Sequence, residues 1–159
     1  MSFDTPVGTR GARQPAGRLF RWVNKLAAWR IRRKGGPMMG FNALILTTVG
    51  AKSGLERTTP VGWFPGEGGS RLIVASAAGA VGNPSWYHNL AAHPDRVRIE
   101  VDGRTVAVVA EQLHGVERAD AWLKIIEAAP RFAQYQEKTD RQLPIIRLTP
   151  RPDQDPPRP

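Results

Sequence analysis

Three short runs hold residue types that could do chemistry. The first is Gly50-Ala-Lys-Ser-Gly54, followed by Leu55-Glu-Arg57-Thr58-Thr59-Pro60. Its glycines let successive backbone N–H groups point into one concavity, an anion nest. Lys52 and Arg57 add charge, and Ser53, Thr58 and Thr59 add hydroxyl donors, a set suited to a phosphate. It is no GxxxxGKS/T phosphate loop, because that order is missing and no helix follows. An ordinary glycine hairpin with an exposed lysine fits the same residues. The second run, Ala75-Ser76-Ala77-Ala78-Gly79-Ala80, ends a strand and is almost free of side-chain bulk. A flat ligand could approach its backbone and accept its N–H groups, although a flexible loop would have the same composition. The third run is Asn83-Pro-Ser-Trp-Tyr-His-Asn-Leu90. On a helix Trp86 and Leu90 share a face, with Tyr87 one step round. Trp86 reads as core more readily than as a cofactor wall, and His88 as a surface or capping histidine.

The rest of the inventory excludes several chemistries. Cysteine is absent, which removes disulfides, thiolate metal sites and a cysteine nucleophile, and suits a reducing cytoplasm. The three histidines, His88, His93 and His114, leave little material for a metal site. No Ser–His–Asp arrangement, metal-ligand spacing or carboxylate pair stands out. An enzyme with these residues would take its chemistry from an imported cofactor.

The elements that must position these runs follow from periodicity. The 159 residues suffice for one domain with its own core. Strands are expected at Ala43–Val49, Arg57–Phe64, Arg71–Ser76, Val97–Val101, Thr105–Gln112 and Leu143–Leu148. Pro60 marks an edge or bulge, and Asp102-Gly103 is a strong hairpin signal. Helices are expected from an Asn83 cap with Pro84 at the first helical position to about Ala92, over Val116–Ala129, and from Pro130 to Lys138. Six strands with few helices predict a mainly-β (α+β) fold, a small antiparallel barrel with helices packed outside.

The net charge of +9 looks like a nucleic-acid signal until it is located. Residues 1–36 hold nine Lys/Arg against one acid, whereas residues 37–159 hold fourteen basic and thirteen acidic residues. A nearly neutral body argues against nucleic acid. Residues 1–17 read as a disordered basic N-terminus, 18–36 as an amphipathic basic helix, 37–149 as the barrel and 150–159 as a solvated Pro-rich tail. In the helix, Leu19, Phe20, Trp22, Val23, Leu26, Ala27, Trp29 and Ile31 fall in one arc of about 200°. Arg18, Arg21, Lys25 and Arg32 lie opposite. This pattern suits peripheral contact with an anionic membrane through residues 18–34, or packing of the arc over the barrel. No secretory signal and no spanning segment is evident.

The order TTVGAKSGLERTTP, VASAAG, NPSWYHNLAAHP, TDRQLPI, covering roughly residues 38–149, resembles the deazaflavin (coenzyme F420)-dependent nitroreductase family. Its members are flavin-reductase-like split β-barrels. The resemblance implies that Lys52, Ser53, Arg57, Thr58, Thr59 and Pro60 bind the phosphate and acidic tail of the coenzyme. It implies that Ala75, Ser76, Ala77, Ala78 and Gly79 lie against the deazaflavin ring, and that Pro84, Trp86 and Tyr87 wall the same pocket. Ser76 and Tyr135 would stand near the reacting centre. Family members often have arginine at the position of Ala51, lysine at Ala77 and tyrosines at Ala129 and Phe132. The two missing cations predict a weaker hold on the anionic tail.

The implied function is an F420-dependent oxidoreductase of the nitroreductase or quinone-reductase type. It would pass a hydride from reduced coenzyme F420 to a lipophilic small-molecule acceptor, such as a quinone, an enone or a nitro compound. The expected setting is cytoplasmic, at or near the inner face of the membrane. The alternatives are a non-catalytic flavin or deazaflavin carrier and a split-barrel reductase using flavin mononucleotide (FMN).

Overall fold

The computed structural model describes residues 3–13, 18–34, 37–38 and 41–151. Helix α1 (Arg18–Lys34) and the short strand β1 (Pro37–Met38) lead into β2 (Phe41–Val49), β3 (Glu56–Gly62), β4 (Phe64–Pro65) and β5 (Arg71–Val74). Then follow α2 (Ser85–Ala92), β6 (Val97–Val101), β7 (Arg104–Gln112), α3 (Gly115–Ala128), α4 (Arg131–Lys138) and β8 (Ile145–Pro150). The sheet order is β1-β2-β6-β7-β8-β5-β4, with β3 on the other edge of β2. All named pairings are antiparallel.

One bent run curls this sheet into a split barrel. Residues 56–62 pair with β2 from Val49↔Glu56 to Ala43↔Gly62. After Trp63 the same run pairs with β5 through Phe64↔Leu72. The two ends of the sheet are thus joined through one residue. Pro60 lies on β3, where its missing N–H is tolerated because, among the described residues, β3 pairs with β2 alone. At the opposite end Asp102 (φ 52°) and Gly103 (φ 74°) are both left-handed, the twist a two-residue hairpin requires.

Period-2 alternation divides the core in two. Ile73 and Ile146 join Leu44, Leu46, Leu90, Ile99 and Val108 inside the barrel. Their neighbours Leu72, Val74 and Ile145 turn outward to Phe64, Ile125, Phe132 and Leu143 under α3 and α4. Each fully buried aliphatic side chain contributes roughly 1.5–3 kcal/mol. The outer cluster holds α3 and α4 over one end of the sheet.

Strand direction decides what shares that end. Alternating antiparallel pairing across β2-β6-β7-β8-β5 makes β2, β7 and β5 run the same way. Their C-terminal ends therefore carry, on one side of the barrel, the 50–55 turn, the α3–α4 excursion and the segment 75–80.

Three boundary expectations need correction. Residues 1–17 read as disordered, yet 3–13 form a docked arm. Gly8 N–H donates to Val81 O and Ala12 N–H to Gly79 O, both at 2.9 Å. A Cβ on Gly11 would run into the Val81 backbone, so glycine permits this approach. Low hydrophobicity concealed the arm because backbone groups hold much of it. Second, Pro84, not Asn83, sits at the N-cap of α2, because the Asn83 side chain is engaged elsewhere. Third, the tail begins later than expected. Pro150 ends β8, and Arg151 N–H donates to Ala107 O at 3.0 Å. Residues 1–2, 14–17, 35–36, 39–40 and 152–159 lie outside the described residues.

Candidate functional site

The β2–β3 turn is mostly closed on itself. Gly50 N–H donates to Leu55 O at 2.8 Å and Gly54 N–H to Gly50 O at 2.9 Å. Leu55 N–H donates to Ser53 Oγ at 3.2 Å, and Ala51 N–H to Asn89 Oδ1 at 3.0 Å. Only the N–H groups of Lys52 and Ser53 lack an acceptor among the described residues, so the expected glycine nest is smaller than the sequence suggested. The charge is available, however. Lys52 and Arg57 are exposed and form no ion pair among the described residues, whereas Glu56 is claimed by Arg98 at 2.6 Å. That pairing holds the Glu56 carboxyl below its ordinary value, first through the hydrogen bond and then through the charge. Thr58 is exposed, and Thr59 and Pro60 are half-buried farther along β3.

The segment after β5 shows the opposite economy of hydrogen bonds. Ser76 is right-handed (φ −78°, ψ −35°), while Ala77 (φ 44°), Ala78 (φ 55°) and Gly79 (φ 81°) are left-handed. For an alanine this region costs roughly 1–2 kcal/mol. Such strain persists only where surrounding contacts impose it. A right-handed residue followed by a left-handed one turns three successive N–H groups toward a common hollow. Here they belong to Ser76, Ala77 and Ala78, and none has an acceptor among the described residues. Gly79 N–H and Ala80 N–H close the turn onto Ser76 O and Ala77 O. A Cβ on Gly79 would stand 2.6 Å from Tyr135 O, so α4 packs tightly against this ledge.

Arg141 supplies the imposing contacts. It is only 3% exposed. Its Nη1 donates to Ala75 O (3.0 Å) and Asn83 Oδ1 (2.5 Å). Its Nη2 donates to Ser76 O and Ala80 O at 3.0 Å each, and its Nε to Ala80 O at 3.3 Å. No carboxylate pairs with it among the described residues. Burial pulls its proton affinity below the ordinary arginine value, and Tyr87 pulls the other way. A guanidinium nonetheless stays charged in a protein. Sequence reasoning missed this residue because the adjacent Asp140 and Arg141 look like a self-neutralising surface pair. In fact Asp140 faces the arm, accepting from Thr9 N–H (2.8 Å), Arg10 N–H (3.1 Å) and the Thr9 hydroxyl. These three donors lower its carboxyl to about 2, the Thr9 hydroxyl most.

Trp86 and Tyr87, which the resemblance would put in the cofactor wall, lie in the barrel core, 8% and 3% exposed. The Tyr87 hydroxyl donates to Gln112 Oε1 at 2.7 Å and accepts from Thr5 N–H at 3.1 Å, fastening the arm. Pro84 is buried, and His88 is exposed. Tyr135 is half-buried against Phe132 (5.7 Å between ring centroids), beneath Lys138 Nζ at 5.8 Å from its ring. Its hydroxyl and that of Ser76 have no partner among the described residues. Asn89 is a second residue that sequence reading missed. It is buried on α2, accepts from Ala51 and donates to Thr48 Oγ1 at 3.1 Å, tying the helix that follows the ledge to the turn. A polar hollow of about 510 Å³ opens under the arm, lined by Thr5, Gln112, His114, Asp140 and Arg141 among others.

Comparison with known proteins fits this arrangement. A family model described as F420H(2)-dependent quinone reductase matches residues 21–150. An F420H(2)-dependent quinone reductase of Mycobacterium tuberculosis (strain ATCC 25618 / H37Rv) is 40% identical over 110 residues, covering 67% of this chain and 72% of that protein. Among solved structures, an F420-H2 dependent reductase (FDR-A) superposes with a TM-score of 0.60 at 37% identity, over 67% of this chain and 92% of its own. A domain-swapped dimer superposes with a TM-score of 0.62 at 32% identity, over 82% and 99%. Family members are oxidoreductases whose cofactor is coenzyme F420. With its split barrel, cationic turn and ledge of unengaged amides, the chain belongs to the F420H2-dependent quinone reductase family.

Proposed function

We propose that this protein passes a hydride from reduced coenzyme F420 to a quinone across the Ser76–Gly79 ledge. The observation that carries the reading is the run of three unengaged N–H groups at Ser76, Ala77 and Ala78, at the same barrel end as unpaired Lys52 and Arg57. The residues fit the coenzyme in kind. Lys52, Ser53, Arg57, Thr58, Thr59 and Pro60 offer cations, hydroxyls and backbone to an anionic tail. Ala75, Ala77, Ala78 and Gly79 offer a surface without bulk, on which a flat ring can meet backbone donors.

When bound, the coenzyme supplies the hydride. The protein's own groups bind, orient and stabilise charge. The ledge amides hold the polar edge of the ring, and a fixed donor–acceptor distance contributes more than any nucleophile here. Ser76 and Tyr135 offer free hydroxyls on the ledge and on the helix packed against it. We assign these two to the reacting centre. Saturable fluorescence quenching of F420 at low salt, followed by oxidation of F420H2 with quinones, tests the reading. Binding without turnover on quinones, enones and nitro compounds would make the protein a carrier. Tighter binding of FMN would move it to the flavin branch of the fold.

A second observation concerns the acceptor. On α1, Trp22 (73% exposed), Val23 (54%), Leu26 (62%) and Trp29 (53%) present an apolar face, with Arg21, Lys25 and Arg30 exposed beside it. No helix among the described residues is long and apolar enough to cross a membrane. Peripheral contact with an anionic leaflet, at about 1 kcal/mol per basic residue, would bring the cytoplasmic ledge to a lipid-soluble quinone. Co-sedimentation with anionic vesicles that persists after deletion of residues 1–36 would contradict this, as would absence of binding.

A further inference from the structure

We infer that Arg141 is the positioning residue that aims the ledge amides at the ligand and places a positive charge behind them. The inference rests on the functional reading above. A trans peptide plane points its C=O and the next N–H in opposite directions. Arg141 draws Ala75 O and Ser76 O to its own nitrogens at 3.0 Å. It therefore turns the N–H groups of Ser76 and Ala77 to the far side of the same planes. Ala80 O converges on the same Nη2 as Ser76 O, so residues 77–79 must reverse direction between them. This accounts for two alanines held at positive φ.

The charge is as specific as the geometry. Removing a guanidinium from water without a counter-ion is costly. A neutral donor would satisfy carbonyls without that cost. The adjacent Asp140 turns its carboxylate to Thr9 and to the Arg10 backbone and makes no ion pair with Arg141. The Asn83 amide takes the acceptor position where a carboxylate would cancel the charge. What remains is a cation behind outward-pointing peptide dipoles, an arrangement that stabilises negative charge on whatever touches the amides. A reduced deazaflavin that met these amides with its pyrimidine end, which carries its ionisable N–H, would be favoured in its anionic form, the stronger hydride donor.

Two variants separate geometry from charge. Arg141→Lys keeps a cation but cannot reach three carbonyls at once, and should weaken F420 binding by about tenfold or more. Asn83→Asp keeps the acceptor at Nη1 and cancels the charge, at the cost of the Nδ2 donation to Thr5 O. It should raise the apparent pKa of bound F420H2, read by absorbance against pH, by about one unit. A charge that does not reach the ledge amides would leave that pKa unmoved. If Arg141→Lys fails to fold, Asn83→Asp carries the test, because its new carboxylate pairs with an arginine already there. Unchanged affinity in the first variant, or an unchanged pKa in the second, overturns the inference while leaving the functional reading intact. Failure of the unaltered protein to bind F420 overturns that reading first, and this inference with it.

Discussion

The 50–55 turn and the 75–80 ledge reverse the roles their compositions suggest. The turn has two glycines with a lysine and serine between them, yet four of its N–H groups close on the turn or on Asn89. The ledge is mostly alanine, yet three successive N–H groups stand unengaged above strained backbone. The difference lies in who takes the carbonyls. In the turn, Gly50 O and Leu55 O accept from the turn itself. In the ledge, a buried guanidinium takes Ala75 O, Ser76 O and Ala80 O. Glycine permits a nest, but an external donor to the carbonyls holds one open.

Three substitutions break or sharpen this contrast. The largest effect is expected for Gly79→Ala, where a Cβ meets Tyr135 O at 2.6 Å and φ is positive. It should lower stability by about 2–3 kcal/mol in denaturant unfolding and weaken F420 binding in parallel, because the ledge must shift. Asn89→Ala comes next. It leaves Ala51 N–H and the buried Thr48 hydroxyl without a partner, at about 1.5 kcal/mol. Its effect on F420 binding should be confined to the tail end, so that shortening the coenzyme's tail abolishes the difference between variant and parent. Lys52→Ala is the smallest. The exposed lysine should matter by about 1 kcal/mol, roughly fivefold in the dissociation constant, with less salt sensitivity and no change in melting temperature. An unchanged dissociation constant would remove the turn from the binding site.

Much of the fold was legible in the sequence, because it is written in local pattern. Asp102-Gly103 announced its hairpin, and Pro60 its edge strand. The apolar runs around Ile73 and Ile146 marked strands, and the structure shows that both faces of these strands are buried. The site was legible in part. Among the described residues Lys52 and Arg57 are exposed and without an ion pair, and the small residues after β5 form a turn of positive-φ backbone. The helical stripe read Trp86 as core, and it is buried there beside Tyr87; only the resemblance puts these rings in a cofactor wall. Arg141 and the arm were not legible at all. Thr9 and Asp140 lie 131 positions apart, and no local pattern announces a contact that only the closed barrel creates.

The most direct test follows the backbone amides of the unaltered protein by nitrogen–proton correlation spectra during titration with F420. The account predicts large, saturable shifts at Ser76, Ala77 and Ala78, with Gly50 and Gly54 nearly still. Shifts concentrated at Gly50 and Gly54, with the three ledge amides unmoved at saturation, would contradict it.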